Sequence, residues 1–370
     1  MAQIRYESVL IEQALSREYA AEMQRTLKKM SGLNDIKPMV RDFEKEFARY
    51  IGVKGAVAVN SGSDALKMAL LAAGVGPQDE VIVPDLTYQA VALAVFYCGA
   101  KPVAVDARRD DLQMDTTAVR KAITKKTKAV IAAHMFGRAC DVKEIGRLCR
   151  EKKISFIEDV CQAESSTTQG RMLGSFGDMA AFSFSYYKPL SSCGGGGGMV
   201  VFNNEEGNRI RHWMEDWRND DELLKLGQRF APMALMDLIA LRVKFSHLKE
   251  IIESRHKIKA LYEQRLGGVK GLTVFKDPPG TESVAQNFVI CAQARDRLID
   301  FLEGQGIMVQ RPYLPLHQMS AFKGLKKEKF PVSTWYSTCA LHLPLHSFMS
   351  QEKALHVVEC CRSFLAKGIL

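Results

Sequence analysis

The segment Phe182-Ser183-Phe184-Ser185-Tyr186-Tyr187-Lys188-Pro189-Leu190 runs on through Ser191 and Ser192 into Cys193 and five glycines, Gly194 to Gly198. The apolar run Ala180 to Phe184 reads as a buried strand, and Lys188 lies just past its end. A lysine in an apolar, glycine-rich setting is expected to be desolvated, which favours the neutral amine and makes it a nucleophile toward an aldehyde. The plainer alternative is a solvated surface lysine. The glycine run is no P-loop, because it follows the lysine and lacks the Gly-Lys-Ser/Thr ending.

Upstream, Ile157-Glu158-Asp159 closes a strongly apolar strand, with Gln162 three residues on. A carboxylate at the C-terminal end of a parallel strand points into the crevice where α/β proteins bind ligands. It can serve as counter-ion to a protonated pyridine nitrogen or simply cap the next segment. Further upstream, Ser61-Gly62-Ser63-Asp64-Ala65-Leu66 ends a strand in a small-residue turn and begins a helix. Such a turn offers free amide hydrogens and the positive end of a helix dipole, a combination that binds phosphate. An ordinary N-cap would look the same. Tyr88 follows Val83-Pro84 and is an aromatic candidate at the next strand end.

Around these sites, short β-branched runs alternate with amphipathic stretches from residue 40 to about 215, the pattern of strands joined by helical crossovers. Strands are expected at Ala56 to Val59, Glu80 to Val83, Pro102 to Val105, Ala129 to Ala133, Ser155 to Glu158, Ala180 to Phe184 and Met199 to Phe202. Helices are expected to begin near Ser63, Tyr88, Asp115, Asp141 and Glu205, with Asp115 and Asp141 as N-caps. One long helix is expected from Met233 to Leu266 as a hinge into a smaller α+β unit. That unit has a strand near Asn287 to Cys291, a helix at Arg295 to Gln305, a proline-rich turn at Arg311 to Pro315 and a last helix at Gln351 to Leu365. The fold class is therefore α/β, with a central, mostly parallel seven-stranded sheet.

The 370 residues are 47% hydrophobic and 25% charged, an ordinary globular balance that argues against disorder. No apolar run is long enough to span a bilayer and the N-terminus lacks a signal-peptide core, so the expected location is cytoplasmic, without membrane partners. Nine scattered cysteines without a Cys-x-x-Cys pair suggest free thiols, neither a disulfide framework nor a metal site. The net charge of +9 suits an anionic partner, but the basic residues are dispersed and no aromatic-interleaved stretch points to nucleic acid.

In this order on one sheet, the segments resemble the DegT/DnrJ/EryC1/StrS sugar aminotransferases. The resemblance runs through Phe43-Glu44-Lys45-Glu46-Phe47-Ala48, Asn60 to Leu66, Val83-Pro84, His134-Met135-Phe136-Gly137, Glu158-Asp159 and Ser183 to Lys188. It is looser at Tyr313-Leu314-Pro315-Leu316-His317 and Leu343-Pro344-Leu345. It implies the fold type I of pyridoxal 5'-phosphate (PLP) transferases, with residues 1–240 as the large domain and 241–370 as the small one with its hinge helix. Carried over by position, it implies that Gly62, Ser63 and Asp64 form the phosphate turn with help from Ser183. Tyr88 would stack on the pyridine ring, Asp159 pair with its nitrogen and Gln162 approach its phenolic oxygen. Lys188 would carry the internal aldimine and, once displaced, shuttle the proton that converts the cofactor to pyridoxamine 5'-phosphate. The implied donor is L-glutamate, the implied acceptor a keto sugar, nucleotide-linked in most of the family, and the implied assembly a homodimer with shared sites.

Two departures stand out. The family's Gly-Glu-Gly-Gly after the lysine is here Cys193 followed by glycines only, so a carboxylate is missing. The family's Asn-x-Arg-Met near the hinge is replaced by Gln228-Arg229-Phe230-Ala231-Pro232-Met233, in which Gln228 or Arg229 is the candidate substitute for the contact to the neighbouring subunit. Sugar-deoxygenating relatives commonly carry histidine where this chain has Lys188. Aminocyclitol precursors, sugar phosphates or other keto compounds are alternative acceptors, and a non-catalytic regulator or nucleic-acid-binding role is the alternative of another class. His134, His317 and His346 could touch substrate but are expected to be structural.

Overall fold

A computed structural model describes residues 9–32, 35–193, 195–215, 221, 230–322, 324 and 327–366. Two helices, α1 (Val9–Lys29) and α2 (Ile36–Ile51), lead into alternating strands and helices. These are β1 (Gly55–Val59), α3 (Gly62–Ala72), β2 (Glu80–Pro84), α4 (Ala90–Tyr97), β3 (Lys101–Val105), α5 (Thr116–Ala122), β4 (Thr127–Ala133), α6 (Val142–Lys152) and β5 (Ser155–Asp159). A short ribbon, β6 (Thr167–Thr168) and β7 (Arg171–Met172), precedes β8 (Met179–Ser183), β9 (Gly198–Phe202) and α7 (Glu206–Glu215).

All seven expected strands form one sheet in the order β1-β9-β8-β5-β4-β2-β3. The pairs β2/β3, β2/β4, β4/β5 and β5/β8 are parallel, and β9 alone runs against its neighbours. Helices cover both faces, which is why these strands read as continuous apolar runs without alternation. On one face lie Leu66, Leu70, Val91 and Val95 of α3 and α4; on the other lie Phe43, Phe47, Ile145 and Leu148 of α2 and α6. Asp115 and Asp141 cap as expected, accepting from the amides of Thr117 at 2.9 Å and Glu144 at 3.0 Å. Because the strands are parallel, Ser61, Asp85, Asp106, His134 and Asp159 all emerge at one edge.

The expected single helix from Met233 to Leu266 is two, α8 (Leu235–Ser246) and α9 (Leu248–Leu266). Ser246 back-bonds to the Val243 carbonyl at 2.7 Å, and His247 leaves helical geometry to reach Glu18 of α1 at 2.9 Å. Beyond it come β10 (Leu272–Val274), β11 (Thr281–Glu282), β12 (Phe288–Ala292), α10 (Arg295–Gly304), α11 (Pro331–Cys339), β13 (Ala340–Leu343) and α12 (Gln351–Ala366). The three strands β10-β12-β13 pair antiparallel, and β11 joins the β6/β7 ribbon instead. Ile258, Tyr262, Leu298, Leu302, Leu341 and Val357 make a second core here, whereas Leu238, Leu241 and Leu248 pack with the core of the large sheet.

Candidate active site

A cleft of about 660 Å³ opens at the C-terminal edge of the large sheet. Its floor is made by strand ends: Ser61, Gly62 and Ser63 after β1, Thr87 and Tyr88 after β2, His134 after β4, Asp159 and Gln162 at β5, and Ser183 and Ser185 to Lys188 at β8. Its other wall comes from far along the chain, from Gln286, Asn287, Gln310, Arg311 and Tyr313.

The turn into α3 is built as its sequence suggests. Ser61 is extended and its hydroxyl accepts from the Asp64 amide at 3.1 Å, which closes the N-cap. Gly62 is required by space: a Cβ there would lie 2.6 Å from Ser183 Cβ and 3.0 Å from Cys161 Sγ. Ser63 is exposed to the cleft. The Asp64 carboxylate instead turns back to Ser61 at 3.1 Å and Lys67 at 3.6 Å, and Asp64 does not line the cleft. The glycine run serves the same close packing, since a Cβ on Gly198 would lie 2.5 Å from the Ser61 carbonyl carbon. The carboxylate missing from that run has a neighbour in space: Asp237 Oδ2 of α8 lies 3.1 Å from where a Cβ on Gly196 would be.

Alternation along β5 sends its two last carboxylates to opposite sides. Asp159 faces the cleft, with Oδ1 accepting from the Cys161 amide at 2.9 Å. Glu158 is fully buried behind it and accepts from the amides of Gly174 (3.0 Å), Phe176 (2.8 Å) and Gly177 (2.7 Å). Its fourth contact is His134 Nε2 at 3.0 Å, while His134 Nδ1 accepts from the Cys140 amide at 3.0 Å. Burial alone would raise the Glu158 pKa, but these contacts outweigh it and hold the carboxyl below its ordinary range.

Lys188 lines the cleft from the turn after β8, its amide donating to the Ser185 carbonyl at 3.0 Å. It is half-buried, with Pro189 and Leu190 buried behind it, so the enclosed setting expected from its neighbours exists on one side only. The cause is the cleft itself, which leaves Tyr186 and Tyr187 exposed. Gln162 is buried; its Oε1 accepts from the Phe136 amide at 2.9 Å, which leaves its NH₂ for Tyr313. Tyr88 is half-exposed and meets the Tyr313 ring edge-on at 6.4 Å. Burial pushes the Tyr313 hydroxyl up to about 12, so it stays protonated as a donor.

All eight predicted site residues are thus near one cleft, seven of them lining it, Asp64 being the one set back. His134 and His317 each contact a buried carboxylate, although His134 also lines the cleft, and His346 is buried away from it. Gln228 and Arg229 lie outside the described residues. Sequence reading missed the roles of Gln286, Asn287, Gln310, Arg311 and Tyr313; the signals there were the proline-rich turn at Arg311 to Pro315 and the looser resemblance at Tyr313 to His317. Gln286 Nε2 donates to the Tyr187 carbonyl and ties the far wall to the lysine turn.

The model of the DegT/DnrJ/EryC1/StrS aminotransferase family matches residues 14–362. A dTDP-3-amino-3,4,6-trideoxy-alpha-D-glucose transaminase of Streptomyces venezuelae is 32% identical over 90% of this chain and 89% of its own length. A GDP-perosamine synthase of Vibrio cholerae is 32% identical over 87% of this chain and 89% of its own. Among solved structures, S. venezuelae DesV in complex with a ketimine intermediate superposes with a TM-score of 0.90 at 30% identity, covering 98% of this chain and 99% of that one. The chain belongs to the DegT/DnrJ/EryC1/StrS aminotransferase family and is an aminotransferase.

Proposed function

We propose that this aminotransferase binds PLP and passes an amino group from L-glutamate to the keto group of a nucleotide-linked sugar. One observation carries the reading: Lys188, Asp159 and the N-terminus of α3 face the same cleft. The residues fit the cofactor. The first turn of α3 offers amide hydrogens and the Ser63 hydroxyl to a phosphate, at a point where Gly62 alone allows close approach. Asp159 would offer a carboxylate to a pyridinium nitrogen, Tyr88 a ring face, and the Gln162 amide a donor to a phenolic oxygen. When bound, the cofactor supplies a protonated ring that withdraws electrons from the amino-bearing carbon.

The chain's own groups do the rest. Lys188, whose side chain lines the cleft, would hold the cofactor through its amine. Once a donor takes its place, the freed Lys188 Nζ would serve as the base that takes the donor's α-proton and as the acid that returns it to the cofactor's carbonyl-derived carbon. The Asp159 carboxyl would pair with the ring nitrogen and hold its proton in place. The far wall, with three side-chain amides and Arg311, offers hydrogen bonds to hydroxyls and one positive charge, a set suited to a sugar bearing an anionic group. Retention of Lys188 favours amino transfer over sugar deoxygenation.

We place the protein in the cytoplasm as a homodimer with shared sites. No helix among the described residues is long and apolar enough to cross a membrane. We divide the chain into a large domain, residues 1–240, and a small one, 241–370; the support is the change of core along α8 and α9. The test is to incubate the PLP-loaded protein with L-glutamate and dTDP-, GDP- and UDP-linked keto sugars. Formation of 2-oxoglutarate beyond one equivalent of enzyme that depends on one of them, and none with Lys188→Ala, supports the reading; a single equivalent with none of the keto sugars aminated would reject the sugar assignment.

A further inference from the structure

At the edge of the sheet next to the cleft, two carboxylates follow adjacent parallel strands, Asp85 after β2 and Asp106 after β3, joined by the Asp85 amide donating to the Val105 carbonyl at 2.7 Å. Both hold segments from more than 200 positions away. Asp106 caps α11, accepting from the amides of Val332 and Ser333 at 2.9 Å each and from the Ser333 hydroxyl at 2.7 Å. Asp85 holds His317, accepting from its amide at 2.9 Å and from Nδ1 at 2.7 Å, while the Asp85 carbonyl accepts from the Leu316 amide at 2.9 Å.

The hydrogen positions follow from the partners. A carboxylate at Asp85 places a hydrogen on His317 Nδ1, and Nε2 lies 3.1 Å from the Thr334 hydroxyl. The imidazole is stacked on Phe330 at 5.0 Å, and the side chains of His317 and Asp85 are 3% and 0% exposed. An Asp-His-hydroxyl series resembles a nucleophilic triad, but none of the three side chains lines the cleft, so no substrate meets them. What the pair does touch is the spacing of the cleft's two lips. Thr87 and Tyr88 follow Asp85 by two and three residues, and Gln310, Arg311 and Tyr313 precede His317 by four to seven.

We propose that Asp85 and His317 are positioning residues: their buried pair fixes the Gln310–Tyr313 wall against the Thr87–Tyr88 lip, so the cleft is shaped for the amino donor before it arrives. Holding the wall in advance lowers the ordering cost at binding, which appears in donor affinity more than in limiting rate. The inference rests on the aminotransferase reading for its kinetic half and on geometry alone for its structural half.

The test uses the full chain. In the apoprotein, hydrogen exchange of peptides spanning 310–318 is expected to be about tenfold faster in Asp85→Ala and His317→Ala than in wild type. His317→Asn, whose amide can still donate to Asp85, is expected to restore protection. In the PLP-loaded protein, Asp85→Ala is expected to raise the L-glutamate concentration for half-maximal spectral change about tenfold and to alter the limiting rate less than about threefold. Asp106→Ala, which loosens the start of α11 but leaves the Asp85–His317 contacts themselves in place, is expected to lower Tm with a smaller effect on both readouts than Asp85→Ala. If Asp85→Ala and Asp106→Ala lower Tm alike and leave both 310–318 exchange and glutamate dependence unchanged, the proposal is overturned. If Asp85→Ala does not fold, His317→Ala and His317→Asn decide by the same two measurements. Absence of any glutamate response in wild type would count against the donor assignment, and the exchange data would still decide the pair.

Discussion

The two walls of the cleft differ in how they are held. The sheet-side wall is local: Gly62, Asp159, Ser183 and Lys188 each sit within a few residues of a strand end, and the sheet's backbone pairing sets their positions. The far wall has only a short backbone bridge, Gln310 with His342, and the Leu316 amide on the Asp85 carbonyl; side chains across long sequence separations, Gln286 to the Tyr187 carbonyl and His317 to Asp85, complete its support. A wall built on backbone pairing is expected to tolerate little change and to govern cofactor chemistry. A wall held by a few side-chain contacts can vary and is expected to govern which substrates enter.

The sharpest way to break this contrast is to attack the support behind the sheet-side wall. Glu158→Ala strands three amides and His134 in a buried site, and is expected to destabilise the protein by about 3–5 kcal/mol, read as a fall in urea midpoint. A loss near 1 kcal/mol would mean that the network is not what holds β5.

Glu164 is the counterpart, a buried carboxyl both of whose oxygens lack a hydrogen-bond partner. Burial pushes its pKa up to about 7 from an ordinary 4.5, with Asp159 adding to the rise and Lys188 and Arg255 opposing it. The folded protein therefore binds this proton more tightly than the unfolded chain. The stability so gained is full below about pH 4.5 and is lost as pH rises through about 7. Glu164→Gln, which mimics the neutral acid, is expected to match wild type at pH 5 and to exceed it at pH 8 by roughly 2–3 kcal/mol. Equal Tm values at both pH values would show that Glu164 is partnered.

Gly62→Ala drives a Cβ against Ser183 and is expected to cost about 1–3 kcal/mol and to weaken PLP retention in equilibrium dialysis. Unchanged retention would move the phosphate away from α3. The smallest effect is expected on the far wall: Tyr313→Phe removes the hydroxyl beside Gln162 and is expected to raise the half-saturating glutamate concentration severalfold, about 1 kcal/mol, with PLP binding intact. Loss of PLP in this variant would erase the distinction between the walls.

The same contrast explains what was legible in the sequence. The seven strands could be read because each is a short apolar run between turn formers, and Asp159 and Lys188 because they sit at strand ends. The Asp85–His317 pair, 232 positions apart, leaves no local mark. Neither does the break at His247, where the apolar spacing continues through a kink set by contacts to α1. Glu164 reads as an ordinary polar residue after Gln162, since only the folded chain reveals that nothing solvates it. The half-exposure of Lys188 was likewise hidden, because apolar neighbours in sequence covered only one of its sides.

The most direct measurement for the central claim is an absorbance titration of the purified protein with PLP, followed by L-glutamate, in wild type and Lys188→Ala. A visible band that forms stoichiometrically in wild type, shifts on adding glutamate and is absent from the variant is the predicted result. A band of equal intensity in Lys188→Ala, or none in either protein, would contradict the assignment of Lys188 as the residue that holds the cofactor.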